Sequence, residues 1–186
     1  MTRRPPARFK PSLAARASAL WGVGGVAVML LQAIVRLTPI ARVAVEQLHG
    51  AGLWAVLVAW VVLNGYAEGY RGFHQRFSPR VVARAVYLMH HPTWTRMLLA
   101  PAFCMSLFGA SRRGMLVSRG ILVGVTALVA TMRWIGQPWR GIVDAGVVAG
   151  LGIGLASIVY FAVRLALGHP PPVDADVPHA PPRADP

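Results

Sequence analysis

Two stretches of nineteen residues, Ala17–Val35 and Ala145–Val163, contain no charged side chain. As helices, runs of that length approach the thickness of a bilayer's hydrocarbon core, about 30 Å at 1.5 Å per residue. A third uncharged run, Ala51–Leu63, precedes an abrupt change of character. Over the whole chain of 186 residues only 13% are charged while 55% are hydrophobic. Soluble domains carry about a quarter charged residues, so this chain would leave too much apolar surface in water. These observations predict an all-α, polytopic transmembrane bundle.

The change of character falls in Asn64–Arg84, NGYAEGYRGFHQRFSPRVVAR. Arg71, Arg76, Arg80 and Arg84 arrive there within fourteen residues. The stretch marks a seam where a membrane helix gives way to a basic segment lying on the bilayer surface. Ser78 and Pro79 suit a helix start, as a capping hydroxyl and a first-turn proline. Beyond them Val81, Val82, Ala85, Val86 and Met89 fall on one face, and Arg80, Arg84, Tyr87 and His91 on the other. That pattern predicts a basic amphipathic interfacial helix over 78–91. Arg71, Arg76, Arg80 and Arg84 are therefore candidate contacts for anionic lipid or an acidic partner, each contributing on the order of 1 kcal/mol at an anionic leaflet.

The net charge of +13 would suggest nucleic acid if taken alone. Here the arginines sit between apolar runs, which fits a lipid surface better and argues against a nucleic-acid partner. Eighteen of the nineteen basic residues are arginine. With the abundance of Ala, Val and Gly, this points to a GC-rich bacterial source and to the inner membrane. The single cysteine, Cys104, rules out an internal disulfide.

In chain order, residues 1–16 are a basic N-terminal segment expected in the cytoplasm. The spans are expected at about 17–35, 52–70, 115–135 and 141–167, within a transmembrane domain covering 17–167. No cleavage site follows the first, so it is read as uncleaved. Residues 97–111 are apolar but short and interrupted by Pro101, and either cross as a fifth span or dip in and return. Positive charge favours the four-span arrangement, which leaves fifteen basic residues inside against four outside; with five spans only twelve lie inside. Residues 168–186, rich in proline, are expected to be disordered.

Two acids touch the spans. Glu68 at the seam and Asp144 at the head of the last helix are candidate functional charges, because a lone buried charge is costly in lipid. Each has an arginine at helical spacing, Arg71 and Arg140, so local ion pairing accounts for them equally. Only five spans would put the two acids on the same side. Gly146, Gly150 and Gly154 repeat every four residues, as do Gly120 and Gly124, and both ridges are candidate helix-packing surfaces within the monomer or in a homodimer. His74 and the pair His90-His91 lack nearby acidic or cysteine ligands and read as solvated side chains. No serine sits in a nucleophile elbow, and the glycine-rich runs lack a phosphate-binding lysine. Neither a catalytic residue nor a cofactor site is assigned.

The runs GYAEGYRGFHQRFSPR and QPWRGIVDAG resemble an uncharacterised family of small proteobacterial multi-pass membrane proteins. The resemblance implies a membrane fold and carries no activity. The sequence thus predicts a non-enzymatic scaffold or binding component whose basic cytoplasmic belt holds anionic lipid or a membrane protein partner. Its alternative is a small transporter or channel subunit using Glu68 and Asp144.

Overall fold

A computed structural model describes residues 12–178, and every regular element among them is helical. Residues 1–11 and 179–186, which include most of the basic N-terminal segment and the end of the proline-rich tail, lie outside the described residues.

Helix α1 (Leu13–Gln47) starts at Ser12, whose hydroxyl accepts from the Ala15 amide at 3.2 Å. It runs through Pro39, which removes one ladder bond. Helix α2 (Ala51–Asn64) continues without a break into a π-helical segment, Gly65–Phe77, and then into α3 (Ser78–His90). Together these form one rod of 40 residues. The expected separate helix over 78–91 is therefore the C-terminal end of this rod. Ser78 caps nothing there, because its own backbone is already helical.

Two short helices follow, α4 (Trp94–Leu98) and α5 (Ala100–Cys104), broken at Leu99 just before Pro101. Residues 97–111 thus form no single helix: they fold back along α1, with Ala100, Phe103 and Cys104 in the same core as Val26. Gly22 and Gly25 of α1 make room for this turn. A Cβ at Gly22 would stand 2.7 Å from the Cys104 sulfur, and one at Gly25 would collide with Pro101.

Helix α6 (Arg112–Met132) is capped by Ser111, which accepts from the Gly114 amide at 3.1 Å. Helix α7 (Trp139–Ala166) is the central element. Four helical rods, Leu13–Gln47, Ala51–His90, Arg112–Met132 and Trp139–Ala166, are long and apolar enough to span a membrane.

α7 lies antiparallel to α1 and parallel to the 40-residue rod. At one end Gly141 meets Ala44 and the Ile40 carbonyl, and Leu48, Leu57 and Ile142 form a small apolar cluster. At the other end Ala19 and Val26 pack with Val81, Ala85, Leu88, Phe103 and Ile158 in the main core. The connections at 48–50 and 133–138 therefore share one end, while the start of α1, α3, the 94–111 turn and the tail share the other.

α7 meets the rod through its glycines. Gly146 lies against Trp60 and Asn64, Gly150 against Glu68, and Gly154 against the Phe73 ring, where a Cβ would stand 2.6 Å from the nearest carbon. The second glycine ridge behaves differently. No residue of α6 is buried, and nothing approaches Gly120 or Gly124 within 4 Å. Those two positions do not pack the monomer, because α6 stands off from the other helices along its length.

Candidate functional site

The π-helical segment reorganises the seam. Tyr66, Tyr70 and His74 stack in a ladder, with ring centroids 6.1 and 5.5 Å apart. His74 turns inward onto α7, where its Nδ1 lies 3.1 Å from the Ser157 hydroxyl oxygen. That hydroxyl donates its own proton to the Ile153 carbonyl at 2.7 Å. The oxygen is then the acceptor for His74, which places a ring proton on Nδ1. Expected as a solvated side chain, His74 is instead a seam residue between two helices. The sequence signal was its spacing of four from Tyr70 and Tyr66.

On the outer side of the same rod, Glu68, Arg71, Gln75, Arg76 and Arg80 are all exposed. Their depth follows from helix register. Val26, the midpoint of the uncharged stretch in α1, shares the main core with Val81 and Ile158. Ile153, Gly154 and Ser157, around the midpoint of the uncharged stretch in α7, meet Gly69, Phe73 and His74. The charged face thus stands level with the apolar middles of α1 and α7. The uncharged run of the rod itself, Ala51–Leu63, is displaced toward the far end, with Leu57 beside Leu48 and Ile142. An arginine at mid-depth on a lipid-facing helix costs about 2.5–3.5 kcal/mol on insertion scales. Such a face calls for a companion other than hydrocarbon.

Arg84, expected on this charged face, does not belong to it. Its exposure is 0%. Nε donates to the Phe103 carbonyl at 2.6 Å, Nη1 to those of Ala175 and Asp176 at 2.9 and 3.4 Å, and Nη2 to those of Phe108 and Gly109 at 2.9 and 3.1 Å. The guanidinium carbon also stands 4.1 Å from the Phe103 ring centroid. A planar fork of five donors suits this cluster of carbonyls, which a lysine could not serve. Arg84 lies three residues beyond Val81 and four before Leu88, both fully buried. That spacing was the missed signal, because it places the arginine on the apolar face.

The same contacts correct the reading of the tail. Ala175 and Asp176, expected to be disordered, are held by Arg84, and Asp176 also receives bonds from the Ser111 hydroxyl at 3.0 Å and the Ser111 amide at 3.1 Å. Beside this cluster Cys104 is 1% exposed, and burial pushes its thiol up to about 12, against the opposing pull of the Arg84 charge.

The two candidate acids are not brought together. Among the described residues the one carboxylate–guanidinium pair within 4 Å is Arg140–Asp144, at 3.9 Å, and Glu68 has no such pair with Arg71. Glu68 meets α7 at Gly150, six residues from Asp144. Six residues are about 600° of helix rotation, so Asp144 and the Gly150 contact point to different sides of α7. Near the far end, an open apolar groove of about 350 Å³ is lined by Val56, Ala59, Trp60, Leu63, Trp139 and Ile142, with no ionisable group. Among the described residues no group of three His, Cys, Asp or Glu could hold a metal ion.

No family model, curated protein or solved structure matches the chain.

Proposed function

We propose that the chain is a multi-pass component of a bacterial inner membrane that binds rather than catalyses, engaging an anionic partner through Arg71, Arg76 and Arg80. The observation that carries this reading is their arrangement: three guanidinium groups stand exposed along one face of the rod, with Glu68 the one acid among them. Arg84, buried among carbonyls, is left out of the binding face. The excess of basic residues at the end shared by α3 and the tail orients the protein with its N-terminus in the cytoplasm. The resemblance to proteobacterial membrane proteins belongs to the same reading.

The test is neutralisation. Changing Arg71, Arg76 and Arg80 to Gln is expected to abolish association with anionic vesicles or with a membrane partner while the chain stays folded. Unchanged association with both would end the proposal. A second reading, proton or ion handling, draws on Glu68 beside Gly150 and on His74 bonded to Ser157 along one seam. Asp144 stands outside that line. If Glu68→Gln abolished ion flux in vesicles, this second reading would replace the first.

A further inference from the structure

We infer that the face formed by Glu68, Arg71, Gln75, Arg76 and Arg80 is a docking surface for a transmembrane helix of another protein that carries a carboxylate at mid-membrane depth. This rests on the binding reading above and names the partner's class. Three observations carry it. The face is exposed along its length, and among the described residues none of its side chains makes a carboxylate–guanidinium pair within 4 Å. It stands level with the uncharged middle of α7, through the contacts of Phe73 with Gly154 and of His74 with Ser157, and at its Arg80 end with that of α1, where Val26 shares the main core with Val81. Three positive charges against one negative leave it with an excess of two.

Depth separates the possible occupants. Lipid headgroups lie at the ends of the nineteen-residue stretches, not at their middles. Fixing the bilayer on Ala51–Leu63 instead would bring a basic face to headgroup level. It would also draw Arg36, Arg42 and Glu46 of α1 and Arg140 and Asp144 of α7 into hydrocarbon, so the two longer runs decide the placement. A second copy of this chain would bring the same net positive face and repel it. Charges inside a membrane pair with one another or face protein or water. An opposing helix with an Asp or Glu satisfies the guanidinium groups and hides them from lipid in one step.

The test uses the full chain in phosphatidylcholine vesicles, with and without phosphatidylglycerol. Its probe is a synthetic Leu/Ala single-span helix bearing a central Asp, Asn, Lys or Leu. Energy transfer between chain and probe reports association. The Asp helix is expected to associate about tenfold more strongly than the Leu helix, within the range of interhelical polar contacts in lipid. The preference should vanish in Arg71→Gln/Arg76→Gln/Arg80→Gln. In Arg71→Glu/Arg76→Glu, which leaves three negative charges against one positive, it should shift toward the Lys-bearing helix, a gain that misfolding cannot produce. Equal association of all probes overturns the inference, as does transfer between two copies of the chain that exceeds transfer to the Asp helix.

Depth is read separately from a fluorophore on Gln75→Cys, since the buried Cys104 does not compete for label. Quenching is expected to be strongest from lipids brominated near the acyl-chain ends. If headgroup-level quenchers prevail and phosphatidylglycerol protects the label, the inference fails while the basic-face reading stands. If arginine neutralisation changes neither probe nor vesicle association, both fail.

Discussion

A buried guanidinium whose acceptors are all backbone carbonyls makes Arg84 the residue on which the end of the bundle shared by α3 and the tail closes. It joins α3 to the 103–109 turn and to the tail at Ala175 and Asp176. Hydrogen bonds to a charged group contribute more than neutral ones, and although the Phe103 and Asp176 carbonyls keep the Ser106 and Ser111 amides as donors, all five acceptors lose the guanidinium when it is removed. Arg84→Leu is therefore expected to lower stability by on the order of 3 kcal/mol and Arg84→Lys by less, because lysine reaches fewer of the acceptors. Unfolding in detergent measures the loss, and limited proteolysis should show residues 170–178 becoming cleavable. A variant as stable as the parent, with a protected tail, would contradict this account. The neighbouring Cys104 gives a second check. With its thiol pushed from 9.0 to about 12, it stays protonated at neutral pH and should not react with maleimide until the fold opens. Because the folded-state value is the raised one, this contribution to stability is complete below about pH 9 and is lost as pH climbs toward 12. Rapid labelling of the native protein at pH 8 would show that the thiol is not enclosed. The sequence made Arg84 visible as a basic residue on an amphipathic segment. It could not show that a tail more than eighty residues away would supply two of its carbonyl acceptors.

At the scale of the element, glycine periodicity identified both ridges but not their use. Spacing of four is a property of one helix, whereas packing needs a second helix at the right distance. α7 has such a partner in the rod, and a Cβ at Gly154 would press into the Phe73 ring. α6 has none. Gly154→Ala is expected to cost about 1–3 kcal/mol through overpacking, and Gly124→Ala to be neutral or slightly stabilising, since alanine is the better helix former and has open space around it. Thermal unfolding of the two variants in the same detergent makes the comparison, and equal effects would show that the α7 contact is not formed. The π-helical segment was likewise hidden. GYAEGYRGFHQRF reads as a break between apolar and polar, so its polarity suggested a surface segment. Gly65 and Gly69 instead let the rod approach Ile153 closely and continue without a break. Polar composition marked the place, whereas its level in the bundle is set by the register against α7, which no single stretch of sequence carries.

For the molecule as a whole, counting positive charge favoured four spans, and the described residues contain four helices long and apolar enough to cross. The segment left open, 97–111, folds back because Pro101 begins a new helical turn after Leu99 instead of extending α4. This arrangement places His49 and Gly136 at one end of the bundle, where the Gln137 side chain reaches the Ile40 carbonyl at 3.4 Å. Thr93 lies at the other, near the Trp21 side chain that bonds to the Leu98 carbonyl at 3.3 Å. All three are exposed, nothing approaches Gly136 within 4 Å, and the native cysteine is enclosed. Single substitutions His49→Cys, Gly136→Cys and Thr93→Cys should therefore label without background in intact cells. A membrane-impermeant maleimide is expected to reach positions 49 and 136 from outside, and Thr93→Cys only after the membrane is opened. The excess of basic residues sets that polarity, while the pairing of 49 with 136 follows from the fold alone. If all three labelled from outside with the same polarity, the four-helix crossing would be wrong. If the two groups merely exchanged sides, the fold would stand and the charge rule would have misled. A five-span chain would separate 49 from 136, since the extra crossing reverses everything after Ser111. The contact between α1 and the head of α7 forbids that reversal, so the labelling pattern tests the packing and the topology together.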